Sequence, residues 1–307
     1  MLDTLRDTWR KNAPEVISAV THGLPDFVMS PSPGKLRGIP VFCYHEIAGA
    51  EFESHLQFLK ENHYQTLTAD DFMTLVRREQ DPNANSDTGD RRIVITFDDG
   101  LLSLYTTVFP LLREYDVRVV AFIAPAFHAA RPNHTTCSGQ LPVCSWQQID
   151  KLHASGLVDF QSHTLEHRIV TQWPLGSPLT GMSDDVCNQF RGPALALADD
   201  FARSREELER YLGKRVRHLA FPQYDGTAEA IHVGRNCGYE AFYWGVKPWK
   251  PINKPGDDLS RVVRLSGEFL PRLPGRGRKA LRAILRERYR KHAGRWFRRF
   301  AAGNRIQ

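Results

Sequence analysis

The chain has 307 residues, 41% of them hydrophobic and 25% charged, enough apolar material to bury a core as one barrel-sized domain or as two small ones. No run reaches the roughly 18 to 20 uninterrupted apolar residues of a membrane span, and the first residues lack the basic, apolar, small-residue order of a secretory leader, so a cytoplasmic protein is expected. The net charge of +6 averages two unlike parts: from Arg272 onward thirteen Lys/Arg face one acid, Glu287, leaving 28 basic and 34 acidic residues before it, so the body carries about −6 and the tail about +12.

Residues 1–38 are broken by Pro14, Pro25, Pro31, Pro33 and Gly34 and read as an extension wrapped on the domain. Residues 39–44 form the first strand, ending at His45-Glu46, and Phe52, Leu56 and Leu59 then recur at helical spacing. Thr68 and Asp71 make a capping box for a second helix, and residues 80–90 are a polar loop. The next strand is the apolar run Ile93-Val94-Ile95-Thr96-Phe97, cut short by Asp98-Asp99-Gly100. A helix carrying Leu104, Val108, Leu111 and Leu112 follows, kinked or shortened by Pro110. Residues 117–124 are a buried strand, 125–144 a long loop over the site, and Ser145 caps a helix that Gly156 stops. A short strand over 157–161 delivers Ser162-His163-Thr164-Leu165-Glu166-His167, after which 171–200 are irregular. Ser204 with Glu207 reads as a capping box opening a helix to Leu212, closed by Gly213. Strands over 216–221, 239–244 and 261–265 and a helix over 228–236 complete the body. Seven strands alternating with helices, without an internal repeat, predict one distorted (β/α) barrel over 39–270, between the extension at 1–38 and a tail at 271–307.

Strand ends are where such folds build sites, and two neighbouring carboxylates there need a compensating cation. His163 and His167, four residues apart, can turn toward one ion, and one acid of the Asp98-Asp99 pair completes a two-histidine, one-carboxylate set with open positions for water and substrate. The other acid is then free to take a proton from water whose pKa the metal has lowered. Zinc suits these ligands best, and cobalt, nickel, manganese or iron can substitute. The five cysteines (Cys43, Cys137, Cys144, Cys187, Cys237) contain no Cys-x-x-Cys pair and read as reduced thiols, with Cys137 and Cys144 the pair best spaced to close a loop.

The runs Thr96-Phe97-Asp98-Asp99-Gly100 and Ser162-His163-Thr164-Leu165-Glu166-His167 resemble the first two signature motifs of the polysaccharide deacetylases, carbohydrate esterases homologous to rhizobial chitooligosaccharide deacetylase. Tyr44-His45-Glu46-Ile47, the helix from Ser204 to Glu209, and Phe221-Pro222 with Tyr224 extend the likeness. The resemblance implies a distorted (β/α)7 barrel and removal of an N-acetyl group from an amino sugar in a polysaccharide, an oligosaccharide or a lipid-linked glycan. It makes Asp98 the general base, Asp99 a metal ligand with His163 and His167, and the Tyr224 backbone N–H an oxyanion donor. Two family features are missing. No arginine precedes Pro222, where Leu219, Ala220 and Phe221 stand, so Arg261 or Arg264 is expected to steady the base. No Leu-x-x-His follows residue 240, and no histidine lies between 233 and 291.

A closed barrel sets its first and last strands side by side, so His45, at the end of the first, is the expected proton donor, with Glu46 orienting its ring. Pro222, Trp146 and Arg264 are expected to line the sugar site, and Trp173, Trp244 and Trp249 are further aromatics suited to stacking or to packing. In the tail, Leu281, Ile284, Leu285, Tyr289, Ala293, Trp296, Phe297 and Phe300 fall at helical steps among arginines. That pattern suits packing on the barrel or contact with an anionic membrane surface at its inner face, and no base-reading motif points to nucleic acid. Two rival functions stay open: a deformylase or cyclic-amide hydrolase on the same barrel, and a carbohydrate-binding protein with a degenerate site.

Overall fold

The computed structural model describes residues 24–32, 34–78, 91–128, 142–167, 169–170, 196–247 and 249–290. The polar loop at 80–90, most of the loop after Ala124, most of the irregular segment after His167 and the last seventeen residues lie outside them, as do Cys137, Cys187 and Trp173.

Among the described residues eight parallel strands form one sheet: β1 (Val41–Tyr44), β2 (Gln65–Thr66), β3 (Arg92–Asp98), β4 (Val119–Ile123), β5 (Val158–Ser162), β6 (His218–Ala220), β7 (Ala241–Tyr243) and β8 (Leu265–Ser266). Their order is β7-β6-β5-β4-β3-β1-β8, and β2 pairs with β3 outside that path. The circuit closes through a split last strand. Val262 bridges Tyr243 of β7, while Leu265 and Ser266 pair with Phe42 and Cys43 of β1. Seven strands therefore form the ring, as the sequence pattern predicts, and the two-residue β2 is an addition the pattern did not show.

Alternation along each strand sorts the core into two layers. Val41, Val94, Val120, Phe122, Ala220, Ala241, Tyr243 and Val262 fill the barrel interior, closed off by Phe72, Leu75 and Val76 of a short helix. Phe42, Ile95, Phe97, Ala121, Phe160, Leu219 and Phe242 point outward into a second layer beneath the surrounding helices.

Among the described residues the helices are α1 (Asp26–Met29), α2 (Gly49–Glu61), α3 (Ala69–Arg77), α4 (Phe109–Tyr115), α5 (Trp146–Ala154), α6 (Leu197–Leu212), α7 (Ala228–Asn236) and α8 over 281–290. Thr68 and Ser145 cap α3 and α5 with reciprocal capping boxes, as their sequences predict. A π-helical turn, Leu104–Val108, runs directly into α4, with Pro110 in the first turn of α4. One expectation fails at α6: the helix opens at Leu197, and Ser204 lies buried in its middle rather than at its cap. The buried stripe Phe201, Ser204, Leu208 and Leu212 runs at helical spacing through the Ser-x-x-Glu signature, which here is an ordinary interior pair. Gly213 does end the helix, at φ 64°.

Part of the basic tail has a structural use. Arg272 donates to the carbonyls of Val28 and Ser30 at 2.9 and 2.7 Å, and Arg278 to those of Phe27, Ser30 and Pro31 at 2.8, 2.6 and 2.7 Å, so the segment around α1 is clamped to the chain that follows the barrel.

Candidate active site

Inward positions turn polar toward the carboxyl ends of the strands. Cys43, Thr96, Asp98, Gln161, His163 and Arg264 continue the interior rows begun by Val41, Val94 and Val262, so strand parity gathers them at one end of the barrel. Asp98, the last residue of β3, is 1% exposed. Its Oδ1 accepts a hydrogen bond from Arg264 Nη1 at 2.7 Å, and its Oδ2 a weaker one from the Cys43 thiol at 3.4 Å. Burial pushes the Asp98 carboxyl up, but the Arg264 guanidinium, followed by His163 and His45, outweighs it and holds the group below the ordinary carboxylate range. Arg264 thus supplies, across the barrel seam, an arginine beside Asp98 that the third motif lacks. It is 1% exposed, which corrects its expected place in the sugar site; Arg261 is exposed and stacks on Trp249.

Asp99 departs from the strand at φ 70°, so its side chain diverges from that of Asp98. Gly100 follows at φ 61°, where a Cβ would meet the His128 ring and Ile123 at 2.7 Å, and this explains the glycine of the motif. Asp99 Oδ1 lies 3.2 Å from His167 Nε2 and 3.6 Å from His163 Nε2. Ligands about 2.0–2.1 Å from a tetrahedral ion stand about 3.3–3.4 Å apart, close to these separations. Asp99 Oδ1 is buried without a hydrogen-bond partner, and Asp99, His163 and His167 offer ligand atoms all within 4.8 Å of one another. These residues fit a divalent metal. The carbonyl of Ala220, 2.8 Å from His163 Nδ1, can only accept, so Nδ1 carries the proton and Nε2 presents its lone pair to the cluster. Burial, then the neighbouring His167, pushes His163 down to about 4, which keeps that ring neutral near pH 7.

His45 reaches the same place from the end of β1. Its Nε2 is 3.9 Å from Asp99 Oδ2, and its ring nitrogens lie 3.4 and 3.3 Å from the Tyr224 hydroxyl. Glu46 is exposed, and the ring is oriented by Tyr224 rather than by Glu46. Tyr224 is at the site, but its backbone N–H donates to the Phe221 carbonyl at 3.0 Å, because Pro222–Tyr224 winds into a 3₁₀ turn with Gln223 and Tyr224 at φ 53° and 65°. The group it turns toward His45 is the phenol. Of two other expected sugar contacts, Pro222 is buried in that turn, and Trp146 is half-buried with one face on Tyr211 at 4.0 Å. Trp244 is buried, its Nε1 donating to Ser260 O, whereas Trp249 is 43% exposed beside it.

Residues 85–242, just over half the chain, match the polysaccharide deacetylase family model. The chain belongs to the polysaccharide deacetylase family. YxkH of Bacillus subtilis (strain 168) is 26% identical over 149 residues, 46% of this chain and 46% of that protein. A poly-beta-1,6-N-acetyl-D-glucosamine N-deacetylase of Staphylococcus epidermidis is 25% identical over 224 residues, 72% of this chain and 68% of its own length. The match to the first of these thus spans about half of that relative. Among solved structures, IcaB from Ammonifex degensii superposes with a TM-score of 0.59 at 25% identity, covering 78% of this chain and 96% of that one, in agreement with the curled parallel sheet and its helices.

Sequence reasoning passed over three residues at this deacetylase-family site. Cys43 was legible from strand parity, since it alternates with Val41 on the inward side of β1. His128, held by the Cys144 carbonyl at 2.7 Å beneath Gly100, lies near the start of the long loop after β4, with no pattern to mark it. Asp200 accepts the backbone N–H groups of Leu165 and Glu166, and it was hidden by the misplaced start of α6. Cys144 is free and donates to Leu101 O, and its possible loop-closing partner Cys137 lies outside the described residues.

Replacing Arg264 by Met leaves Asp98 buried without its cation and should lower stability by about 3–5 kcal/mol at pH 7. In the native chain the depressed Asp98 contributes stability that is present above the unfolded carboxyl pKa of about 3.9 and lost as pH falls through the lower folded value. In Arg264→Met burial raises the folded value instead, so the gap between variant and native chain should narrow from pH 7 to pH 5 in denaturant titrations. A gap below about 1 kcal/mol, or one independent of pH, contradicts this assignment.

Proposed function

We propose that this chain removes N-acetyl groups from an amino-sugar glycan of the poly-N-acetylglucosamine type, hydrolysing the amide with the help of a divalent metal. The observation that carries the reading is the division of labour at the end of β3, where Asp98 is held by Arg264 and Asp99 faces His163 and His167. A cation held by Asp99, His163 and His167 would supply a lowered pKa for water and polarisation of the amide carbonyl. Zinc is our choice for it, on the two-nitrogen, one-oxygen donor set.

Asp98 Oδ2 is the oxygen free to take the proton of the attacking water, because Oδ1 is engaged by the guanidinium and the thiol is only a weak donor. Burial holds the Cys43 thiol far above its ordinary value, so Cys43 stays protonated and does not compete as a base or nucleophile. His45 stands on the other side of Asp99, where a protonated ring can deliver its proton to the departing amine. Tyr224 fixes that ring and offers its O–H to the oxygen of the scissile carbonyl. The acetyl reading is supported by the activity named for the staphylococcal relative, and a sugar can stack on Trp249, tied to the residue after Tyr224 through Lys247 and Asp225 at 2.6 Å.

With β-1,6-linked N-acetylglucosamine oligomers as substrate, Asp98→Asn should keep its divalent metal and lose about 10²–10⁴ in turnover, whereas His163→Ala should lose the metal as well. Free amine release and metal analysis check both. Undiminished turnover in Asp98→Asn, or faster release from N-formyl or ureide substrates than from acetyl ones, overturns the reading.

We further propose that the C-terminal helix rests on an anionic membrane surface. Ile284 is buried against the barrel, while Leu285 and Tyr289 are 49% and 75% exposed, with exposed Arg282, Arg286 and Arg290 beside them. Co-flotation with phosphatidylglycerol vesicles, absent with phosphatidylcholine and abolished in Leu285→Glu/Tyr289→Glu, is expected. Equal recovery with both lipids, or no loss in the double variant, contradicts it.

A further inference from the structure

The two proposed metal-binding histidines sit on a loop that does not hold itself. His163 still belongs to the sheet, its N–H donating to Ile123 O at 2.9 Å. The chain then enters the left-handed region at Thr164 (φ 66°) and again at His167 (φ 52°), conformations that a β-branched residue and a non-glycine resist. Thr164 Oγ1 is buried without a partner and supplies nothing in return. Some other element must impose this path.

That element is α6. The Asp200 carboxylate, fully buried in the first turn of the helix, accepts Leu165 N–H on Oδ1 at 3.0 Å and Glu166 N–H on Oδ2 at 3.3 Å. Two successive backbone N–H groups form a concavity that selects an anion, and here a carboxylate of the same chain fills it. One turn further along, Ser204 Oγ lies 2.8 Å from Ser162 Oγ, which in turn accepts Thr164 N–H at 3.2 Å. Asp200 and Ser204, four residues apart on one helix face, thus grip the loop on both sides of Thr164. From the opposite side Ala126 N–H reaches the Leu165 carbonyl at 3.2 Å.

We propose that Asp200, seconded by Ser204, is a positioning residue of the metal centre: it locks the 163–167 loop so that His163 and His167 converge on Asp99 before any ion arrives. The inference rests on the reading of Asp99, His163 and His167 as metal ligands. It gives α6 a part in the preorganisation of the site.

Titration of the purified, metal-stripped full chain with Co2+, followed by its visible absorption, reads both affinity and ligand geometry. Asp200→Asn keeps the shape but sets an amide NH2 against a backbone N–H donor. It should weaken Co2+ binding about ten- to a hundredfold and change the absorption envelope at saturation, a signature that a merely stabilising residue would leave alone. Ser204→Ala should weaken binding by a smaller factor, about three- to tenfold, and it decides the matter if Asp200→Asn does not fold. Native affinity and an unchanged spectrum in the folded variants overturn the assignment of Asp200. Absence of Co2+ binding in the native chain would instead overturn the metal reading on which it rests.

Discussion

Two carboxylates on consecutive residues at a buried strand end cannot both ionise without separate compensation, and the architecture of the site follows from how this chain provides it. Asp98 remains in the extended strand, pairing with Phe122, and faces inward to Arg264. Asp99 turns out of the strand at φ 70° toward two histidines. One backbone turn converts a repulsive pair into two differently placed groups, Asp98 beside a guanidinium and Asp99 facing two imidazoles, as the proposed proton-accepting and cation-binding roles require. Each would be costly to bury without its own partner.

The compensation depends on closing the barrel. Arg264 lies between Val262, which bridges β7, and Leu265, which pairs with β1, so the guanidinium enters the interior only because this segment crosses from one edge of the sheet to the other. His45, at the end of β1, stands beside Asp99 because β1 pairs directly with β3, Tyr44 opposite Phe97. His45 on the first strand and Arg264 on the last thus reach the same end of the barrel though they are more than two hundred residues apart in the chain. Tyr224, packed against the Arg264 guanidinium and the His45 ring, links the two sides.

The parts of this site that could be read in the sequence are those fixed by local rules. The abrupt end of an apolar run at Asp98-Asp99-Gly100 and the four-residue spacing of His163 and His167 each carry their chemistry within a few residues, and the structure brings all four acids and histidines together. What resisted reading was set by long-range pairing or by ambiguous local signals. Arg264 was assigned both to the base and to the sugar, and only the strand register decides between them. The Ser204-x-x-Glu207 pair satisfies a capping rule, yet the apolar stripe extends upstream to Phe201, so tertiary burial overrode it. The Tyr224 N–H was placed by resemblance, and the local 3₁₀ turn engages it with Phe221 instead. Asp200 had no signal of its own, because its role is to accept hydrogen bonds from a loop some 35 residues earlier.

In the proposed function the two adjacent acids have different jobs. Anomalous diffraction at the zinc edge, from crystals of the full chain grown with zinc, separates those jobs. One peak is expected, about 2.0–2.2 Å from a carboxylate oxygen of Asp99 and from Nε2 of His163 and His167, with Asp98 still on Arg264 and outside the coordination sphere. A peak coordinated by Asp98 in place of Asp99, or no peak at all with these side chains ordered, would contradict that assignment.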